Sequence, residues 1–276
     1  MSNTSANANL VARFLTAVVA IPVLLGVFYK GPAIATFVVV LIAVGAAGRE
    51  LFRMTHPDDR VSQVIGIVLG LAVCCIVYFL GHDARYLLGI VLGLPIIALF
   101  VVLWRLGEMS SAAMRVAALG FGPLYVSLLS SVALLRRDRG DDGPSYVVLV
   151  LAISWVADTF GYFAGRFLGK HKLYEAVSPK KTIEGAIGGL FGSVLSVVII
   201  QHFLITSLDL THGVILALVA GALGQLGDLG ESLLKRSIGV KDSGGLVPGH
   251  GGILDRVDAT VVASVIIYLY TRFQYG

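Results

Sequence analysis

Charge is scarce in this sequence. Asp, Glu, Lys and Arg together make up 14 % of its 276 residues, where an ordinary soluble domain carries about 25 %. So few charges cannot solvate the surface of a soluble globular fold, and that class is excluded. Cysteine is scarcer still: Cys74 and Cys75 are the two present, adjacent inside an apolar run. Neighbours of this kind neither close an ordinary disulfide nor match a metal-ligand spacing, so they read as lipid-facing or core filler. Also missing is any basic stretch interleaved with stacking aromatics, so the formal net charge of +4 is no sign of nucleic acid. A positive-inside bias and anionic lipid headgroups account for it.

What is present is apolar. Hydrophobic residues make up 57 % of the chain, and runs near twenty residues long, enough for the hydrocarbon core of a bilayer, occur at 10–29, 32–47, 64–81, 86–104, 113–135, 145–168, 185–206, 211–234 and 253–273. The fold class expected is all-α: a polytopic membrane protein of about nine transmembrane helices. The first run is long enough to span by itself, so it reads as a retained signal anchor rather than a cleaved leader. No internal repeat is visible. Residues 1–140 read as a scaffold of N-terminal and middle helices that could carry oligomer contacts, and 141–276 as a C-terminal transmembrane domain, the part in which the chemistry-bearing residues described below fall.

Orientation follows from where Lys and Arg collect. With the N-terminus inside, the cytoplasmic side holds Arg13, Arg49, Arg53, Arg60, Arg105, Arg115, Arg166, Lys170, Lys172, Lys180, Lys181, Lys235, Arg236, Lys241 and Arg256. The exception is "RRDRGDD" (136–142), which falls outside. The chain is accordingly expected to be a multi-pass protein of the plasma (inner) membrane, with these basic segments facing the cytoplasm.

The unusual residues lie in two stretches on that one face: "GRFLGKHKLYEAVSPKKTIEG" (165–185) and "GDLGESLLKRSIGVKDSGGLVPGHGGILDRVD" (227–258). On the eighth span Asp228, Glu231, Ser232 and Lys235 recur at spacings of three and four and form one polar stripe, which Gln225 extends. On the ninth, Asp255 and Asp258 share a face and Arg256 points away. Asp158, with Ser154 and Tyr162 each four residues distant, makes a third polar face on the sixth span. A carboxylate at the centre of a membrane helix costs about 2.5–3.5 kcal/mol on insertion scales. A single such group reads as a satisfied interhelical hydrogen bond or a headgroup-level charge. Several on separate helices beside clustered lysines read as a functional site, and carboxylates with lysines suit a divalent metal and phosphate.

Glycine is placed in two ways. Gly161, Gly165 and Gly169 repeat at four-residue spacing, and Gly185, Gly188, Gly189 and Gly192 stack on the seventh span, the pattern of closely packed membrane helices. In contrast, "GGLVPGHGG" (244–252) has five glycines and a proline in nine residues and cannot be helical. Such a loop either wraps a phosphate with backbone N–H groups or serves as a flexible connector.

The string "SLLKRSIGVKDSGGLVPGHGGILDRVD" (232–258), with "SPKKTIEG" (178–185), "ADT" around Asp158 and "GDLGES" (227–232) upstream in the same order, closely resembles the signature of phosphatidate cytidylyltransferases, also called CDP-diacylglycerol synthases. The likeness spans roughly residues 145–260. Val247, Ile183 and "DTFGYF" depart from the usual pattern, and all three departures spare its ionisable positions. The resemblance implies that CTP and phosphatidate give CDP-diacylglycerol and pyrophosphate, with Mg²⁺ required and a second cation as an option.

It implies a site at the cytoplasmic ends of the C-terminal helices. Asp228, Asp255 and Lys241 would carry catalysis. Asp228 and Asp255 would hold metal, with Glu231 and Asp258 as further ligands or supports. Lys180, Lys181, Lys235, Arg236 and Arg256 would hold phosphates, His250 and Gly251 would line the triphosphate site, and Ser178 and Ser232 would be lesser contacts. The partners are CTP, phosphatidate and membrane lipid, with no nucleic acid; small-residue faces permit a homodimer. A proton- or cation-coupled transporter would place its polar groups near the bilayer midplane and show a repeated half. A phosphotransferase that consumes CDP-alcohols would carry a D-G-x-x-A-R string, which does not occur.

Overall fold

Backbone in hydrocarbon has no water to bond, so long apolar stretches must close their hydrogen bonds within themselves as helices. The computed structural model describes residue 18 and residues 21–245 and 251–275. Its elements in order are α1 (Ile21–Lys30), α2 (Ala33–Thr55), α3 (Arg60–Leu80), α4 (Ala84–Trp104), a 3₁₀ turn (Met109–Ser111), α5 (Ala112–Ser127), α6 (Ser130–Asp138), α7 (Gly143–Leu168), β1 (Lys172–Tyr174), β2 (Ser178–Thr182), α8 (Ile183–Phe203), α9 (Leu210–Ser237) and α10 (Leu254–Tyr275). The fold is nearly all-α.

Seven helices among the described residues are long and apolar enough to cross a membrane, which makes this a multi-pass membrane protein. Nine were expected. Of the other two, half of the run at 10–29 lies outside the described residues, which leave only the shorter α1. The run at 253–273 does form helix α10, but Asp255, Arg256, Asp258 and Arg272 keep it out of the apolar set. The fifth expected span is broken at Leu128–Leu129 into α5 and α6. There the Leu128 N–H is shared among the carbonyls of Leu124, Tyr125 and Val126, so the last turn tightens and the helix ends.

The chain divides into two compact units: the described residues up to Ser130 together with Ile238–Asp255, and Ser131–Ser237 together with the residues from Arg256. The first contains α2 to α5. Its core is Phe52 of α2 packed with Ala98 and Val102 of α4 and Leu119 of α5. Room for the Phe52 ring is made by Gly66, where a methyl would lie 2.6 Å from it, and Gly122, where one would lie 3.0 Å from it. The Arg115 guanidinium, buried at 7 % exposure, donates to the carbonyls of Arg105, Leu106 and Glu108 and so fixes the turn between α4 and α5.

The second unit is built on a glycine seam. Methyls added at Gly161 of α7 and Gly185 of α8 would lie 3.2 and 3.0 Å from the other's carbonyl oxygen, and one at Gly192 would lie 2.9 Å from the Val156 carbonyl. Backbones so close exchange side-chain hydrogen bonds: Ser193 and Ser196 of α8 donate to the Ile153 and Ala152 carbonyls of α7. The Gln225 amide of α9 donates to the Ala186 carbonyl of α8. Serine also joins α6 to α10, where the hydroxyls of Ser131 and Ser264 lie 2.7 Å apart.

Between α7 and α8 the chain makes an antiparallel hairpin, with Lys172 opposite Thr182 and Tyr174 opposite Ser178. Its second strand is the "SPKKT" stretch, read above as loop. Thr182 then caps α8 by accepting the Gly185 N–H. Glu184, in the first turn, accepts the N–H groups of Lys170 and His171 and pairs with the His171 ring at 2.7 Å.

Candidate active site

In the second unit, ionisable side chains from a strand and three helices gather. Lys181 of β2 places its ammonium 2.5 Å from Asp228 Oδ2 on α9, both side chains a little over a quarter exposed. One turn further along α9, the Glu231 and Lys235 pair sits at 2.5 Å, with Glu231 at 1 % exposure. Asp258 of α10 is buried, accepts the Ala259 N–H at 2.7 Å and lies within electrostatic range of Asp228, Glu231 and Asp158. Asp158 of α7 is exposed and feels Asp228, Lys181 and Arg256. The arrangement is a patch of carboxylates interleaved with cations, in which each lysine offsets the repulsion among its acidic neighbours.

The first unit holds a second group. Asp255, in the opening turn of α10, accepts the N–H groups of Ser243 and Gly252 on its Oδ2 at 3.1 and 3.2 Å. Glu50 of α2, buried at 3 % exposure, accepts the Ser243 hydroxyl at 3.1 Å and the Leu254 N–H at 2.9 Å on its Oε2. These four bonds meet at both ends of the glycine-rich stretch that the sequence singled out.

One group is thus a patch of carboxylates and lysines, and the other ties together residues on either side of a glycine-rich stretch. The profile described as "Cytidylyltransferase family" matches residues 11–274. The chain belongs to the cytidylyltransferase family. Among its relatives, the protein named phosphatidate cytidylyltransferase from Staphylococcus epidermidis is 35 % identical over 257 residues, covering 90 % of this chain and 93 % of that protein. Those of the same name from Staphylococcus saprophyticus and Staphylococcus aureus are each 32 % identical over 247 residues, with the same coverage.

The remaining residues singled out in the sequence distribute as follows. Ser178 opens β2 half-buried, and Lys180 is exposed beside Lys181. Ser232 lies half-buried on α9, and Arg236 there donates from Nε to the Val177 carbonyl at 3.3 Å. Lys241 is exposed in the segment after α9, and Arg256 is exposed on α10. Gly251 has φ +83°, a conformation natural to glycine. His250 lies outside the described residues. Ser154, Asp158 and Tyr162 lie on the one helix α7; the Ser154 hydroxyl donates to the Val150 carbonyl, and the Tyr162 hydroxyl accepts from Arg166.

Among the described residues, no group of three or more His, Cys, Asp or Glu is arranged to hold a metal ion by itself. The carboxylates of the patch are hard oxygen donors of the kind that suit Mg²⁺, which is ordinarily held by one or two carboxylates with waters and substrate phosphates completing its shell. The donor set is hard oxygen throughout. Glu50 was missed in the sequence, where it reads as one more charge at the end of an apolar run between Arg49 and Arg53; the lone carboxylate within "AAGRELF" was the available signal.

Proposed function

We propose that this protein is a phosphatidate cytidylyltransferase, joining CTP and phosphatidate to give CDP-diacylglycerol and pyrophosphate in phospholipid biosynthesis. The observation that carries the reading is the Lys181–Asp228 pair set among Asp158, Glu231, Lys235 and Asp258, in a chain whose close relatives bear that name over nine-tenths of its length. One substrate is a lipid and the other a soluble nucleotide, so the site belongs at a membrane interface; the basic loops support the cytoplasmic face of the plasma membrane.

No protein nucleophile is needed. A phosphate oxygen of phosphatidate attacks the α-phosphorus of CTP, the new P–O bond forms as the bond from the α-phosphorus to the bridging oxygen breaks, and pyrophosphate leaves with that electron pair. Bound Mg²⁺ would supply charge neutralisation at the phosphates. Asp228 and Asp255 are the carboxylates proposed to hold it, with Glu231 and Asp258 in support. Lys181 and Lys180 bind phosphate oxygens, Lys181 from a position already balanced against Asp228. Lys241, Arg256 and Arg236 draw the anionic substrates in and hold their phosphates, and Lys235 orients Glu231 through their ion pair. His250 and Gly251 line the triphosphate, and Ser178 and Ser232 add hydroxyl contacts.

The test is purified protein in detergent with radiolabelled CTP, phosphatidate and Mg²⁺. A cytidine label extracted into the lipid phase together with stoichiometric pyrophosphate is the expected result. Release of soluble nucleotide alone, or no product, would overturn the reading.

A further inference from the structure

We propose that Glu50 is a positioning residue for the reaction: it ties Ser243 to Leu254, on either side of the glycine-rich stretch, and so fixes where that stretch leaves and rejoins the fold. The inference rests on the phosphatidate cytidylyltransferase reading of the loop. Glu50 and Asp255 clamp the same place twice. The Glu50 carboxylate joins Ser243 to Leu254, and the Asp255 carboxylate joins Ser243 to Gly252. Leu254 N–H is one of the donors that the first turn of any helix leaves without an internal partner, and a carboxylate there is favoured by the helix dipole. A carboxylate taken this far out of water is retained only where such donors meet it.

The loop is shaped to receive this side chain. A methyl at Gly244 would lie 2.6 Å from Glu50 Oε1, and a methyl at Gly252 would run into Glu50 Oε2 and the Ser243 hydroxyl. The glycines at these two positions therefore make room for a buried carboxylate, a reason distinct from both the phosphate cradle and the flexible connector considered from sequence. Gly245, where a methyl would meet nothing within 4 Å, is under no such constraint. Glu50 touches the loop and is assigned no contact with substrate, so its effect reaches the chemistry through loop position.

The experiment compares Glu50→Ala, Glu50→Gln and Gly244→Ala, and the Glu50→Ala/Gly244→Ala double variant, in the full-length protein in detergent. Hydrogen exchange over residues 243–254 is followed together with kcat and KM for CTP. Glu50→Ala should speed exchange in that segment and lower kcat/KM for CTP by on the order of 10²-fold, the effect of misplacing a catalytic element by about 1 Å. Glu50→Gln keeps an acceptor for Ser243 and Leu254 and should stay within a few fold of wild type. Gly244→Ala should be damaging alone and add nothing in the Glu50→Ala background, because the side chain it strikes is gone. Equal damage from Gly244→Ala in both backgrounds, or unchanged exchange and full activity in Glu50→Ala, would overturn the proposal. A wild-type protein that makes no cytidine lipid would instead sink the functional reading, while the exchange measurement still judges the clamp.

Discussion

Replacing Lys181 by Met separates two meanings of its bond to Asp228. Met keeps most of the stem and removes the charge. If the ion pair is only structural, its loss is bounded by geometry: the side chains are 28 % and 29 % exposed at 2.5 Å, and pairs open to solvent contribute at most about 1 kcal/mol. That is roughly fivefold in the folding equilibrium and a fall of about 2–4 °C in Tm for a chain of 150–250 residues. If Lys181 holds a phosphate as charge develops in the transition state, removing one such donor lowers kcat by about 10²–10³-fold, far beyond what the stability change supplies. Charge balance adds a second signature. With Lys181 gone, Asp228 keeps its carboxylate neighbours and loses its cation, so half-saturation by Mg²⁺ should move to lower concentration or stay where it is. The assay is cytidylyl transfer against CTP and against Mg²⁺, alongside thermal unfolding in detergent. Lys180→Met serves as comparison: adjacent strand residues face opposite sides, so its effect should be smaller. A Lys181→Met enzyme that loses fivefold or less, or loses activity only in step with unfolding, would refute the assignment.

Asp228→Asn keeps shape and removes charge, so turnover should fall by about 10²-fold or more and the Mg²⁺ requirement should rise; an unchanged metal dependence would mean that the ion is held elsewhere. Asp255→Asn retains an oxygen for the Ser243 and Gly252 N–H groups, so exchange in that loop should stay slow while turnover falls. Normal turnover would leave Asp255 with a loop-holding role alone. Gly188→Val would drive a branched side chain into the Ala164 methyl and the Phe160 carbonyl and should lower stability by about 1–3 kcal/mol, read as a drop in Tm that Gly230→Ala, where a methyl meets nothing within 4 Å, does not show. His56, just beyond α2, is buried at 1 % exposure, and burial lowers its pKa from 6.5 to about 4. The unfolded chain then binds a proton that the native one refuses, so stability should decline as pH falls from about 6.5 to 4, by on the order of 3 kcal/mol in all, and His56→Gln should flatten that decline.

Much of the helical layout was legible because hydrocarbon leaves the chain few choices: α3, α4, α7 and α9 begin and end within a few residues of the apolar runs. The break at Leu128–Leu129 was not, since it lies in unbroken apolar sequence and depends on how one N–H is shared. The hairpin escaped because a three-residue strand and a five-residue strand reading Ser-Pro-Lys-Lys-Thr show no alternation of polar and apolar residues. At the site, the Glu231–Lys235 pair follows from i, i+4 spacing. The Lys181–Asp228 pair depends on how α8 and α9 pack, and Glu50 on Ser243, far away in the chain; spacing carries neither.

The glycine seam between α7 and α8 bears on how much binding energy the enzyme keeps. β2 hangs directly from that seam, with Thr182 at its end lodged against Gly165 and Gly169, and Lys181 is the residue before it. A lysine on a free loop would have to be immobilised by each incoming nucleotide, at about 0.5–1.5 kcal/mol per side chain ordered. On the role proposed for Lys181, that loss of freedom is met during folding, and each nucleotide would meet a cation already in place. Small residues remote from any substrate thereby set the entropy of a binding step in which they take no part.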